Sequence, residues 1–444
     1  MRFHILTFGC QMNVADADWL TQALVARGWT VAAEEEAQVF VVTTCSVREK
    51  PEQKVYSLLG RLKGYVDQNP EVFVAVGGCV AQQIGEEFWD RFPFVRLVFG
   101  TDGTAMVPQA LERLAVDPAL RTSLLDFLDH YPERDVHDDV PVQAQVFVNI
   151  MQGCDNFCTY CIVPFTRGRQ KSRSADAVVA ECLSLVRRGA RELTLLGQNV
   201  NSYGRDSHGD GTSFAQLLHR IAAIEGLERL KFTTSHPKDI APEVVDAFRD
   251  LPNLSPQLHL PVQSGSDAVL RAMGRRYTRE HYLNIVEALR RACPHIALTT
   301  DVIVGFPGES PQDFEDTMRL MGEVRYESSY SFKYSDRPGV RAEKMDFKVS
   351  EEEKSRRLAA LQELQNRITE EELARQVGAE VVVLVEGQSR MQGADVTFWK
   401  GRDAGGRIVN FASPSPALVG KMVLVRILEA KKHSLAGEMR GEPW

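Results

Sequence analysis

Nowhere in the 444 residues does an apolar run reach the about 20 residues that cross a bilayer, so no membrane span is expected. The amino terminus, MRFHILTFGCQ, lacks a basic region, a long apolar region and a cleavage site, and so reads as no secretory signal. The expected location is cytoplasmic. Thiols stay reduced there, and eight cysteines read better as metal ligands than as disulfides. Positive charge is scarce: 52 Lys and Arg against 60 Asp and Glu leave a net of −8, which argues against indiscriminate nucleic-acid binding. No Ser/His/Asp triad or paired carboxylate dominates. The tightest cysteine cluster, GCDNFCTYC at 153–161, lacks a fourth member, with Cys154, Cys158 and Cys161 four and three residues apart. A structural zinc site wants four ligands, and a disulfide framework wants an even number of cysteines.

What is present reads as three segments. An apolar fraction of 44% and a charged fraction of 25% are those of a globular chain, and the length allows about three domains. In the first segment FHILTF (3–8), QVFVVTT (38–44) and EVFVAVGG (71–78) are each followed by a helical pattern, predicting a parallel α/β sheet. Each run ends at a cysteine: Cys10, Cys45 and Cys79. Ligands of open parallel sheets bind at the carboxyl ends of strands, so these three can converge. A free cysteine is also an ordinary small core residue. Residues 101–140 read as a helix and an acidic connector.

The second segment repeats the alternation through QVFVNIM (145–151), ELTLLGQ (192–198), LKFTTS (230–235), PQLHLPV (256–262), ALTTDVIVG (297–305) and SSYSFKY (328–334). Six β/α units predict a partial TIM-like barrel, with chemistry at the carboxyl ends of the strands, where Gln198, Ser235 and Gly305 fall. Cys154, Cys158 and Cys161 follow its first strand. A helix capped by Ser350 and Glu353 comes next. Four strand-like runs from 379 to 430 predict a small β-barrel of about five strands. Residues 374–444 carry ten Lys/Arg and seven Asp/Glu, leaving −11 on the rest. Lys400, Arg402, Arg407, Arg426, Lys431, Lys432 and His433, with Phe398 and Trp399, suit an RNA surface or, as plainly, a solvated charged face with core aromatics. The predicted domains are 1–115, 140–372 and 375–440, all of the α/β class except the last.

Three thiolates on a four-iron cluster leave one iron open to substrate. A C-x3-C-x2-C motif after the first strand of a β/α barrel resembles the signature of the radical S-adenosylmethionine (SAM) enzymes. With a second trio of cysteines in an amino-terminal α/β domain and a carboxyl-terminal barrel like the RNA-binding TRAM module, the whole chain resembles the radical SAM methylthiotransferase family. The matching stretches are GCQMN (9–13), TTCSVREK (43–50), GGCVAQQ (77–83), IMQGCDNFCTYCIVPFTRGR (150–169), LLGQNVNSYG (195–204), FTTSHP (232–237), LHLPVQSGSD (258–267), DVIVGFPGE (301–309) and YSFKYSDRPG (330–339).

The resemblance implies two 4Fe–4S clusters, one on Cys154, Cys158 and Cys161 and an auxiliary one on Cys10, Cys45 and Cys79, all six cysteines being catalytic. It implies SAM as cofactor, with Tyr160, Ile303 and Gly305 beside the adenosine and Gln198 and Ser235 among its contacts. The branch set by Ser46 to Lys50 methylthiolates C2 of N6-isopentenyladenosine at position 37 of tRNA, next to the anticodon. An electron donor such as a flavodoxin or ferredoxin, a sulfur source and a monomeric state are further expectations. Arg48 and Lys50 are candidate phosphate contacts. Arg167, Arg169, Lys171 and Arg173 are candidates for phosphate steering or cofactor binding, or form a mobile basic loop. Cys182 and Cys293 read as structural. The alternatives are a relative acting on threonylcarbamoyl-adenosine or on a ribosomal-protein aspartate, and a zinc RNA-binding protein in which His130 or His137 completes a site.

Overall fold

The computed structural model describes residues 1–46, 51–69, 71–117, 119–138, 140–390 and 396–444, with only the backbone of Pro51 and Glu52; Arg48 and Lys50 lie outside the described residues. The amino-terminal sheet is built from β1 (Arg2–Thr7), β2 (Thr30–Val31), β3 (Val39–Thr44), β4 (Phe73–Gly78), β5 (Val95–Phe99) and β6 (Thr122–Leu124). All pair in parallel, in the order β2-β1-β3-β4-β5-β6. Every residue of β3 is buried, as expected for a strand covered on both faces. The sheet runs past residue 115, because the connector supplies β6. Three residues of extended backbone are enough to join an edge that the acidic, proline-containing segment does not advertise.

The central body has β7 (Gln145–Asn149), a small hairpin of β8 (Met151–Gln152) with β9 (Lys171–Ser172), then β10 (Glu192–Leu196), β11 (Arg229–Phe232), β12 (Gln257–His259), β13 (Ala297–Val304) and β14 (Ser328–Lys333). Two three-stranded parallel sheets, β7-β10-β11 and β12-β13-β14, are joined by a Leu230–Leu254 bridge. The result is an open six-stranded arc. Alternation of side chains sends Leu193, Leu195, Leu230, Leu258, Val302 and Val304 outward into the core under the helices. By the same alternation Glu192, Lys231, His259, Asp301 and Ile303 lie on the opposite, lumenal face. Helix Gln11–Ala26 of the first domain packs against the β7 edge of the arc.

Helix Glu351–Ala374 crosses behind β14. Ser350 Oγ caps it by accepting from Glu353 N at 3.2 Å, but the Glu353 carboxylate turns to Arg356 and Arg357 instead of closing the capping box. The last body is a closed barrel of β15 (Glu380–Gln388), β16 (Thr397–Asp403), β17 (Ile408–Ser413), β18 (Met422–Ala430) and β19 (Leu435–Arg440), in the order β15-β16-β17-β19-β18. It stoppers the amino-terminal end of the arc. Arg229 reaches out of β11 to the carbonyls of Val382 at 3.2 Å and of Arg402 and Asp403 at 3.3 Å. Arg407 grips Glu327 through two bonds of 2.7 and 3.0 Å. Trp399 lies in the barrel core. Trp399 and Arg407 are therefore not RNA-facing, while Arg426, Lys432 and His433 are exposed. No described helix is long and apolar enough to cross a membrane.

Candidate active site

The first trio is assembled by local backbone chemistry. Gly78 has φ +92, and a Cβ there would come within 2.4 Å of the Thr44 carbonyl oxygen, so β4 can approach β3 closely only as glycine. Thr44 Oγ1 donates to the Gly77 carbonyl at 2.7 Å and accepts from Val80 N at 3.1 Å, capping the helix that begins at Cys79. Asn13 Nδ2 donates to the carbonyls of Phe8 at 2.7 Å and Thr44 at 2.9 Å. That amide ties the Cys10 turn to the Cys45 turn. Cys45 and Cys79 are buried and Cys10 half-buried. A hydrogen bond with Cys45, helped by the nearby Arg167 charge, brings the Cys10 thiol down to about 5 against the opposing cost of burial.

Arg167 comes from the central body. It is 3% exposed, donates to Asn13 Oδ1 at 3.1 Å and lies 3.6 Å from Met12 Sδ. The charges of Cys79 and Cys10 hold it protonated despite its burial. Of the basic run after the second trio, only Arg169 faces solvent, paired with Asp155 at 2.6 Å. Lys171 is buried on Asp102 and the Leu128 carbonyl, and Arg173 is buried on Glu181 and the Asn149 carbonyl. Lys171 and Arg173 thus neither steer phosphate nor form a mobile loop. Their counter-charges come from other parts of the chain and fix the segment.

The second trio sits in the loop after β8, half-buried. Gly153, at φ +78, packs so closely on the Arg169 carbonyl that a Cβ would come within 2.0 Å. Cys154 Sγ accepts from Asn156 Nδ2 at 3.6 Å, and Cys158 Sγ faces the buried Arg275 at the same distance. Burial, and then the neighbouring Cys158, push Cys161 up to about 12; burial also raises Cys154. Such crowding of thiols around one cation is a place for a cationic centre, which binds only after the protons leave. Among the described residues no three His, Cys, Asp or Glu side chains are arranged to hold one metal ion. A cluster asks for a different arrangement, with thiolates on separate irons. His130 is exposed, and His137 lies beside Arg188, which bonds its carbonyl.

Two buried polar atoms beside this loop lack a protein partner: Ser235 Oγ and His236 Nε2. His236 Nδ1 accepts from Lys238 N at 3.2 Å, so Nε2 carries the hydrogen of the neutral ring. Burial, then the charges of Arg275, Lys238 and Arg276, lower His236 to about 2. Tyr160 meets Phe306 edge-on at 6.4 Å in a cluster that also holds Ile303, Tyr334 and Met345. Gly305 has φ +70, and its N–H donates to Glu309 Oε2 at 2.6 Å. Gln198 is engaged at both ends, accepting from Gly153 N at 2.6 Å and donating to Met12 Sδ. The donor set thus fits a cluster and a polar cofactor: a thiol trio short of a fourth ligand, unpaired buried donors, and an aromatic wall. Asn13, Arg275 and His236 escaped the sequence reading as site residues. The signal for His236 was its place just past the end of a barrel strand.

A parallel β/α arc with a thiol trio after its first strand defines the radical SAM class, and residues 148–321 match the Radical SAM superfamily. Residues 2–100 match an uncharacterized protein family, UPF0004, and residues 374–439 the TRAM domain. Over its whole length the chain is 61% identical to the tRNA-2-methylthio-N(6)-dimethylallyladenosine synthase of Nitratidesulfovibrio vulgaris, covering 99% of that protein. It is 57% identical to the enzyme of that name from Oleidesulfovibrio alaskensis, over 99% of this chain and 98% of that one. The chain belongs to the family of tRNA-2-methylthio-N(6)-dimethylallyladenosine synthases. Among solved structures, the radical SAM methyltransferase TsrM from Kitasatospora setae has a TM-score of 0.56 at 15% identity, covering 77% of each chain. The cobalamin-dependent SAM radical enzyme OxsB has a TM-score of 0.51 at 12% identity, covering 82% of this chain and 56% of that one. These two are likenesses of fold.

Proposed function

We propose that this protein replaces the C2 hydrogen of N6-isopentenyladenosine at position 37 of tRNA with a methylthio group. The observation that carries the reading is that Arg167, six residues past the second thiol trio, passes into the first domain beside Cys10 and Cys79. An aromatic C2–H has no acidic proton, so general acid–base chemistry is of no use there. Two 4Fe–4S clusters with SAM supply the radical that takes this hydrogen and the sulfur that replaces it.

The chain's own residues have separable tasks. Cys154, Cys158 and Cys161 hold the radical cluster; Cys10, Cys45 and Cys79 hold the auxiliary one. Arg275 and Arg167 each offset the negative charge that ligation by three thiolates creates. Ser235 Oγ and His236 Nε2–H are donors for the polar groups of the cofactor, supported by their burial without protein partners. Tyr160 and Ile303 are walls for its adenine, supported by their shared apolar cluster. Gly305 gives the strand end its left-handed turn beside that wall. Gln198 sets the cysteine loop, since both ends of its amide are taken.

The division of labour follows the bodies: 1–115 for sulfur, 140–372 for the radical and 375–440 for RNA. The partners are isopentenylated tRNA, an electron donor such as a flavodoxin or ferredoxin, and a sulfur source. The enzyme works as a cytoplasmic monomer. The test is anaerobic reconstitution followed by incubation with SAM, dithionite and either isopentenylated tRNA or ribosomal protein. Chromatography should find the methylthio nucleoside in the tRNA only. Methylthiolated protein and unchanged tRNA would overturn the reading.

A further inference from the structure

The arc has an open side. Among the described residues β14 pairs only with β13; helix Glu351–Ala374 backs its outer face, and its lumenal face is left open. In register, Tyr330 stands opposite Asp301 and Phe332 opposite Ile303, so both aromatics share the lumenal face with Ile303. A complete eight-stranded barrel would bury them. Here Tyr330 is 60% and Phe332 47% exposed. Tyr330 meets His259 edge-on at 6.1 Å.

Above them stands Phe347, 86% exposed. Its φ of +58 is a conformation bulky L residues rarely adopt. The conformation is imposed from below: the Phe347 carbonyl accepts from Gly308 N at 2.9 Å, and Met345 packs with Tyr160 and Phe306. The backbone therefore presents an unburied ring two residues from the cluster that holds Tyr160 and Phe306. Residues 333–348 carry five Lys/Arg against three Asp/Glu, on a chain whose net charge is −8.

We infer that this edge, from Tyr330 through Phe332 to Phe347, is the surface on which the anticodon loop of tRNA lies, its unpaired bases stacked on the three rings. The inference rests on the function proposed above and adds the place of contact. Loop bases present open π faces, and exposed aromatics beside basic residues are how proteins hold them. The position fits one elongated ligand. The carboxyl-terminal barrel is fixed at the far end of the arc by Arg229 and Arg407, and the thiol trios lie at the near end. An RNA that touches both ends must pass along the side of the arc, and at β14 the lumenal face is open there.

The experiment measures binding of an isopentenylated anticodon stem-loop to the reconstituted full chain, by anisotropy and by the fluorescence of a 2-aminopurine placed beside the target base. Phe347→Ala and the Tyr330→Ala/Phe332→Ala pair should each weaken binding by about ten-fold, with loss of stacking quench. The dependence of affinity on salt should keep its slope, because every phosphate-binding cation is still in place. Phe347→Tyr should bind like the parent. Phe347 covers no core, so Phe347→Ala tests contact, not folding. Parental affinity in both alanine variants overturns the inference. So does a loss confined to cluster reduction by an acidic flavin or iron–sulfur carrier, which would assign the edge to the reductant. A parent protein that binds no tRNA overturns the proposed function instead.

Discussion

Arg167 donates to Asn13 Oδ1 at 3.1 Å, and through that one amide a residue of the central arc is tied to the turns that carry Cys10 and Cys45. Removing one partner from a buried charged group costs about 3–5 kcal/mol. The Arg167→Ala protein should take up about four irons instead of about eight on reconstitution, since only the auxiliary trio loses its cation. SAM cleavage should continue and methylthiolation stop. Full iron content in that variant would show that the guanidinium does not support the cluster.

The trios should separate by role. Ala at Cys154, Cys158 or Cys161 should abolish both 5′-deoxyadenosine and methylthiolated tRNA. Ala at Cys10, Cys45 or Cys79 should leave reductive cleavage of SAM and stop sulfur transfer. Chromatographic quantitation of 5′-deoxyadenosine and tRNA nucleosides checks both. Normal methylthiolation by Cys45→Ala would remove the first trio from the reaction.

His236 gives the apoprotein an acid sensitivity. Its imidazole is held near 2 against an ordinary 6.5, so below pH 6.5 the unfolded chain takes up a proton that the native one refuses. Stability contributed by the neutral ring is whole above pH 6.5 and falls as pH drops toward 2, by about 1.4 kcal/mol per unit. His236→Gln removes that proton. Urea unfolding of the two apoproteins between pH 6 and 4 should show the shallower pH dependence in the variant. Parallel dependences would mean the ring is protonated in the native state.

Deleting the carboxyl-terminal barrel would uncover Arg229 and strip Glu327 of its partner Arg407, so surface variants are the cleaner probe of RNA binding. Ala at Arg426, Lys431 and Lys432 should weaken tRNA binding and reduce the slope of log affinity against log salt by roughly 0.7 to 0.9 for each phosphate that goes unneutralised. An unchanged slope would leave this barrel as a stopper alone.

Cys154, Cys158 and Cys161 were legible from local spacing, and Cys10, Cys45 and Cys79 because parallel topology puts strand ends together, whatever their separation along the chain. The arc, the closed barrel and the long helix were legible from period. The buried basic residues were not. Arg167, Lys171 and Arg173 look alike in a row, and what buries them is Asn13, Asp102 and Glu181 on other elements. Arg275 meets Cys158 across 117 residues, with no local pattern to announce it. Trp399 stood between an RNA surface and the core, and period decides it: in TFWKGRD the alternation puts Trp399, Gly401 and Asp403 on one face, which is the inner one. The sixth strand of the first sheet is too short and too polar to carry a period.

The seam between the first two bodies holds a buried Asp102–Lys171 pair and an Asp16 carboxylate shared by Arg134 at 2.7 Å and Asn149 at 2.9 Å. It makes the junction near residue 140 a poor place to build chimaeras. A hybrid that took residues 1–140 from a distant relative would set foreign groups against Asn149, Arg167 and Lys171 and leave ions stranded. A boundary that keeps these partners together lies inside the barrel, past Glu181 and Gln198, so the sulfur-carrying domain and the first loop of the radical domain are inherited as a single cassette.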